Sequence, residues 1–388
     1  MPGYELMGSE EQDSLNEIFR TSNGVLFPHG FDALRNGRFR VREFENHFSE
    51  KLGCGYTQAV TSGTVAQLVA MVAMGVKPGD EVITQAHTFV ATVESILAIG
   101  AVPVIVDIDH TYNMDPLALE NAITKKTKLI VPVHMLGNPC NMDEIMKIGK
   151  KYNLPILEDG CEALGASYKG KMVGTIAEAG VFSLDFAKTI TTGEGGLIVT
   201  DNLEYYTLAK EYHDHGHQSN PAYPRGRDTR RIPGMNYRMS EMQGAVGVAQ
   251  LKKLDDIVKC NRANKNFLKG NINSTKIDFR KITDEEGDLA DTLIFNFDNG
   301  HTTKIFLKEY NSKGYFTKNI PDAIDWHFSG TWNHMFNNVP AYKNTWQTEW
   351  SKSAELLGRS IAIPIYVKTS KEELERHLEV INGILENL

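Results

Sequence analysis

Cysteine is scarce in this chain. Cys54, Cys140, Cys161 and Cys260 are the only four in 388 residues, and no pair has CxxC spacing. Neither a metal site nor a disulfide framework is therefore expected, and reduced thiols in the cytoplasm are. Long apolar runs are missing as well: none approaches the ~20 residues that cross a bilayer. The opening stretch MPGYELMGSEEQDSL is acidic and lacks the basic and apolar regions of a signal peptide. Positive charge is not in excess either. Lys and Arg number 41 against 49 Asp and Glu, a net charge of -8, which argues against nucleic acid or an anionic membrane as partner. No internal repeat or low-complexity tract interrupts the chain.

What is present is material for a core: 41% of residues are hydrophobic and 23% charged, the balance of a globular protein. Short Val- and Ile-rich runs read as strands at 80–85, 101–108, 128–136, 154–159, 179–184 and 195–200. Between the earlier ones, helical patterns cover about 64–75, 88–99, 116–123 and 141–152. Near-continuous apolar strands alternating with helices imply an α/β fold with a mostly parallel sheet covered on both faces. A helical pattern without proline runs from Ser240 to about Leu268 and is expected to link the large unit to a smaller one, giving domains of 1–255 and 256–388. In the second, 293–298 and 360–367 read as strands, and an amphipathic helix closes the sequence. The loop 213–238 is dense in His, Arg, Gly and Pro, and loops of that length are commonly functional or disordered.

Three stretches carry chemistry. In AVTSGTVAQLVAMVAMG a strand passes through Ser62, Gly63 and Thr64 into a helix. Free N–H groups and the helix dipole make such a start an anion site; a plain N-cap is the alternative. In LPILEDGCEALGA, Glu158 and Asp159 follow an apolar strand, where ligand sites of open α/β sheets collect. In SLDFAKTITTGEGG, Lys188 follows a strand-like SLDFA and precedes a glycine cluster; a lysine in a partly apolar site can lose its proton and condense with a carbonyl. Each alone has a structural explanation. Together they suit pyridoxal 5'-phosphate, which needs a phosphate cradle, a carboxylate at its ring nitrogen and a lysine for its aldehyde.

From NHFSEKLGCGYTQAVTSGTVAQ to SIAIPIYV the chain resembles the fold-type-I sugar aminotransferases of the DegT/DnrJ/StrS group. The resemblance implies an aspartate-aminotransferase-like fold, with a large, mostly parallel sheet sandwiched by helices and a smaller C-terminal α/β domain. It implies that Lys188 binds the cofactor aldehyde and later moves the proton, and that Asp159 pairs with the pyridine nitrogen. Ser62, Gly63, Thr64 and Ser183 would hold the phosphate. Phe89 would stack on the ring, and Asn236 would reach the phosphate across a homodimer interface. Glu162 departs from the family, which commonly has Gln or His there, near the cofactor's phenolic oxygen. Some relatives carry histidine in place of the lysine and act as dehydratases; Lys188 argues against that chemistry.

On the substrate side, Arg225, Arg227, Arg230 and Arg231 are either solvated surface or anion-binding groups. His215 falls in the family's usual His-Gly pair. His327, Trp332 and His334 lie in DWHFSGTWNHM, a region that approaches the sugar in the family or packs as an aromatic turn. No acidic or cysteine partner near His213 or His217 suggests a metal. The expectation is an aminotransferase that converts a keto or aldehyde sugar to an amine with glutamate as donor. The resemblance is nearest to enzymes forming 8-amino-3,8-dideoxy-manno-octulosonate for lipopolysaccharide. A nucleotide-linked 4-keto or 3-keto deoxyhexose is the second acceptor, and a non-catalytic sugar- or cofactor-binding regulator is the alternative from another class.

Overall fold

A computed structural model of the chain describes residues 3–220, 222–223, 227–337, 339, 342 and 346–388. Helices α1 (Ser9–Thr21) and α2 (Arg40–Leu52) precede strand β1 (Tyr56–Val60). The chain then alternates: α3 (Gly63–Ala73), β2 (Glu81–Gln85), α4 (Val90–Ala98), β3 (Val102–Val106), α5 (Pro116–Ala122), β4 (Thr127–Ile130), α6 (Met142–Tyr152) and β5 (Leu157–Asp159). After a small hairpin come β6 (Ala179–Ser183), β7 (Gly196–Thr200) and α7 (Leu203–Tyr212).

Parallel pairing joins β3, β2 and β4, and also β5 and β6. Parallel bridges Ile130–Ile156 and Val133–Asp159 connect the two groups. Strand β7 runs antiparallel to both β6 and β1. The order is thus β3-β2-β4-β5-β6-β7-β1, parallel apart from β7. Every residue of β6 and β7 is buried, as expected of strands covered on both faces.

Two expected elements break. The run 128–136 is a strand only to Ile130, and Pro132, two residues on, has no N–H for a ladder. The pattern from Ser240 to Leu268 divides into α8 (Glu241–Leu251) and α9 (Leu254–Asn271). At the break, the Lys253 ammonium reaches the Leu6 carbonyl (2.7 Å) and Glu11 (2.6 Å). A tertiary contact therefore accompanies a bend that no proline or glycine marks.

The C-terminal part contributes an antiparallel sheet of β8 (Asp278–Phe279), β9 (Thr292–Asn296) and β10 (Ser360–Pro364). Helices α10 (Gly300–Ser312), α11 (Ser351–Gly358) and α12 (Lys371–Asn387) accompany it. One apolar cluster unites Val90 and Val93 of α4 with Ile294, Phe328, Trp332 and Phe336. Burial of each such side chain contributes about 1.5–3 kcal/mol. Residues 319–332 are thereby packed against the C-terminal ends of the central strands.

Candidate active site

The site begins where β1 ends. Ser62 caps α3, its Oγ accepting from Val65 N at 3.2 Å. As the first two helical residues, Gly63 and Thr64 have amides with no carbonyl a turn back. Two glycines make the close approach possible. A Cβ at Gly63 would lie 2.7 Å from Ser183 Cβ, and one at Gly196 would lie 2.1 Å from the Ser62 carbonyl oxygen. The helix start, the end of β6 and the start of β7 thus meet in a cradle that larger side chains would fill, with hydroxyls from Ser62 and Ser183. Thr64 faces solvent. Small size, hydroxyls and unpaired amides fit a phosphate group.

Strand β6 stops at Ser183, so the expected strand through SLDFA is a turn in its second half. Asp185 builds that turn: its carboxylate accepts from Ala187 N (2.9 Å) and its carbonyl from Lys188 N (3.0 Å). The hydroxyls after the lysine tie the loop down. Thr191 Oγ1 donates to the Leu184 carbonyl (3.1 Å), and Thr192 Oγ1 to the Glu194 carbonyl (2.7 Å). Lys188 is left largely enclosed, with 13% of its side chain exposed, and its ammonium is 3.7 Å from Glu162 Oε1. Burial pushes its pKa down, but Glu162, Cys161, Asp185 and Asp159 outweigh that and hold it above the usual lysine range.

Asp159 and Glu158 end β5 on opposite faces, as successive strand residues must. Asp159 Oδ2 accepts from Gln67 Nε2 (2.8 Å) and Thr92 Oγ1 (3.0 Å), and Oδ1 from Cys161 N (3.1 Å). Burial raises its pKa, and those hydrogen bonds together with Lys188 offset only part of the shift. On the other face, Glu158 accepts from the amides of Gly174 (2.9 Å), Ile176 (2.7 Å) and Ala177 (2.7 Å). His134 Nδ1 accepts from Cys140 N (2.9 Å), so its Nε2 carries the proton and donates to Glu158 at 3.2 Å. Glu158 is committed to the scaffold.

Glu162 lies on the Lys188 side. It accepts from Leu136 N (3.3 Å) and from the Asn319 amide (3.3 and 3.4 Å), and His327 Nε2 is 3.5 Å from Oε1. Burial opposes its charge, yet Lys188, His327 and Lys318 hold its pKa well below the usual carboxylate range. Phe89, at the start of α4, is half-exposed; its ring centroid is 5.3 Å from that of His327 and 6.2 Å from that of exposed Trp326.

Contacts therefore link Ser62, Gly63, Ser183, Asp159, Lys188, Glu162, Phe89 and His327 into one continuous site. Trp332 is not part of it. Its ring is buried in the core, and its Nε1 donates to the Asp325 carbonyl at 2.9 Å. His334 and Asn236 are exposed. His215 is exposed with φ 55°. In the arginine loop, Arg231 pairs with buried Glu211 (2.8 Å), and Arg230 Nη2 approaches His217 Nε2 (3.5 Å). Arg227 is exposed, and Arg225 lies outside the described residues. His217 has an acidic partner that spacing did not suggest, Asp228 at 2.7 Å. Among the described residues, no group of three or more His, Cys, Asp or Glu could hold a metal ion.

Sequence reasoning missed Gln67, Thr92, Asn319 and Trp326. For Gln67 a signal existed: it is the one amide in an otherwise apolar stretch of α3. The others needed the fold.

The profile of the DegT/DnrJ/EryC1/StrS aminotransferase family matches residues 31–382. GDP-perosamine synthase of Escherichia coli O157:H7 is 40% identical over 235 residues, 60% of this chain and 63% of that protein. The match thus spans less than two thirds of that relative's length. The aminotransferase from Psychrobacter cryohalolentis superposes with a TM-score of 0.86 at 26% identity, covering 98% of each chain. A GDP-4-keto-6-deoxymannose-3-dehydratase with a trapped PLP-glutamate geminal diamine superposes with a TM-score of 0.81 at 25% identity, covering 97% of this chain and 98% of that one. The chain belongs to the DegT/DnrJ/EryC1/StrS aminotransferase family, and its fold is that of the fold-type-I pyridoxal-phosphate aminotransferases.

Proposed function

We propose that this protein is a pyridoxal-phosphate-dependent sugar aminotransferase with glutamate as donor. The observation that carries the reading is the convergence of Lys188, buried Asp159 and the Ser62–Gly63–Ser183 cradle at the ends of adjacent strands. When bound, pyridoxal phosphate supplies an aldehyde for amines and a ring that accepts electron density. Ser62, Gly63, Thr64 and Ser183 bind its phosphate. Asp159 would hold a proton on the ring nitrogen, which would offset the cost of keeping this carboxylate buried and ionised. Phe89 covers the ring. Lys188 would shuttle a proton between the donor carbon and the cofactor, with Glu162 as its ionised neighbour. Residues 1–255 form the cofactor-binding unit and 256–388 the smaller unit that completes it.

For the acceptor, a nucleotide-linked keto deoxyhexose comes first, because the similar relatives include GDP-perosamine synthases. Formation of 8-amino-3,8-dideoxy-manno-octulosonate for lipopolysaccharide is the second reading, supported by the resemblance of SLDFAKTITTGEGG and PRGRDTRRIPGMNYRMSE to such enzymes. The protein acts as a homodimer in which exposed Asn236 and the arginine loop serve the partner's site. It works in the cytoplasm, a setting that suits four free cysteines. No helix among the described residues is long and apolar enough to cross a membrane.

The test is a panel of nucleotide-linked keto hexoses and keto or aldehyde sugar acids with glutamate, following 2-oxoglutarate. Release of 2-oxoglutarate with one acceptor class assigns the substrate. Absence of a borohydride-sensitive visible band with added pyridoxal phosphate would overturn the whole reading and favour a binding protein.

A further inference from the structure

Two residues other than glycine adopt left-handed backbone around one carboxylate. Leu136 has φ 50° and ψ 46°, and Asn319 has φ 65°. Both donate to Glu162, Leu136 through its amide at 3.3 Å and Asn319 through its side chain at 3.3 and 3.4 Å. Such conformations cost of order 1–3 kcal/mol each and persist where the surroundings impose them, often at functional sites.

The surroundings of Asn319 do impose it. Lys318 N donates to the Ala362 carbonyl (2.8 Å), and Ala362 N donates to the Ile320 carbonyl (3.0 Å), so β10 grips the residues on either side. Ile320 N closes onto the Lys318 carbonyl at 2.7 Å, making Asn319 the centre of a γ-turn, of the less common hand that needs positive φ. The Lys318 side chain is fixed as well, donating to Asp291 (2.6 Å) and Thr292 (3.0 Å). The amide of Asn319 has little freedom to point anywhere but at Glu162.

We propose that Asn319 is a positioning residue. Its amide, opposed by the Leu136 N–H, holds Glu162 at a fixed distance from Lys188 and offsets part of the negative potential that Glu162 exerts there. Without the offset, Glu162 would grip the ammonium more tightly, and Lys188 would be slower to become the neutral amine that condenses with a carbonyl. The groups that face Lys188 are Glu162, Cys161, Asp185 and Asp159, and Glu162 is faced in addition by His327 and Lys318. Of these, only Glu162 is held by the γ-turn amide. The inference rests on the proposed function only through the role of Lys188.

The experiment uses cofactor-free protein. An amine-reactive reagent is applied across a pH range, and labelling of Lys188 is read by peptide mass spectrometry. Glu162→Gln removes the ionised partner and should move the Lys188 midpoint to lower pH. Asn319→Gly should move it to higher pH by about half a unit, a roughly threefold slower labelling at fixed pH. Relief of the positive φ and loss of the amide donor to buried Glu162 act in opposite directions on its urea midpoint, which serves to show that the variant is folded. Asn319→Asp keeps shape and tolerates the same backbone but replaces the donor with charge, so the upward move should be larger. A purely structural role predicts no movement in either Asn319 variant, and that result overturns the proposal. Whether Lys188 captures pyridoxal phosphate is a separate measurement, so failure of the functional reading is distinguishable.

Discussion

Glu158 and Glu162 are both buried glutamates within five positions of each other, yet they are satisfied in opposite ways. Glu158 is saturated by three backbone amides and by His134, whose ring is itself fixed by the Cys140 amide. Glu162 is held by a side-chain amide, one backbone N–H, a lysine and a histidine. Asp159 resembles Glu162 in taking side-chain donors, Gln67 and Thr92. Fixed donors anchor an acid as part of the scaffold. Donors that titrate or rotate leave it responsive to what enters the site. Burial alone does not separate the two; the identity of the donors does.

The comparison is broken most directly at Lys188. Lys188→Ala should remove the borohydride-sensitive band and lower turnover by at least the ~10²–10⁴-fold that a positioned proton carrier contributes, with the circular dichroism of the parent. Full transamination by that variant without added amine would refute its role. Asp159→Asn comes next. Turnover should fall by about 10²-fold or more as the ring-nitrogen partner loses its charge, while the phosphate cradle still retains cofactor. In cofactor-free protein the same change should raise stability by about 0.5–2 kcal/mol at neutral pH. The sign follows from burial, which raises the Asp159 pKa: the folded state binds that proton more tightly, so ionisation destabilises it above the raised value. Glu162 runs the other way. Its pKa is depressed, so its stabilisation is present above the ordinary glutamate range and lost as pH falls through the folded value. Glu162→Gln should therefore lower the urea midpoint at neutral pH where Asp159→Asn raises it.

Glu158→Ala sharpens the other half. It strands three backbone amides and His134 without their acceptor. A loss of about 3–5 kcal/mol is expected, read from urea unfolding. Turnover per folded molecule should change little, which distinguishes this neighbour from Asp159.

The alternation that builds the central sheet was legible in the sequence, because Val- and Ile-rich runs must be buried and turn residues bound them. The helix-start cradle was legible for the same local reason, and the identity of Lys188 and Asp159 came from motif resemblance. The difference between Glu158 and Asp159 was not. Strand alternation places them on opposite faces, but the amides of 174–177 that saturate Glu158 come from a loop whose path is set by packing. Asn319 was hidden too, since its γ-turn is imposed by β10, some forty residues later in sequence. Trp332 failed as a site residue because aromatic tracts serve cores as readily as sites; burial resolved it, and brought its exposed neighbour Trp326 beside Phe89 instead.

The smallest effect is expected in the arginine loop, at the residue whose charge is already taken. Arg231 Nε donates to both oxygens of Glu211, at 2.8 and 3.0 Å, while 45% of its side chain remains exposed. Glu211 is buried, with 2% of its side chain exposed, so the pair is half-buried and contributes more than the ~0.2–1 kcal/mol of a fully exposed one, and a guanidinium bound to its own chain has less to offer a substrate anion. Arg231→Lys should therefore leave the Michaelis constant for the sugar acceptor within about threefold of the parent, with a drop in thermal stability. Among the described residues neither Arg227 nor Arg230 is held by a bidentate carboxylate as Arg231 is, although Arg230 lies near enough to Asp228 to help lower its pKa, and Arg→Lys at one of these should weaken acceptor use more, because lysine cannot reproduce a two-pronged contact to carboxylate or diphosphate. Acceptor and glutamate half-reactions must be followed separately, since glutamate also brings carboxylates to the site. If Arg231→Lys is the variant that loses acceptor binding, then Glu211 releases its partner when substrate arrives, and the rule drawn from Glu158 and Glu162 does not extend to cations.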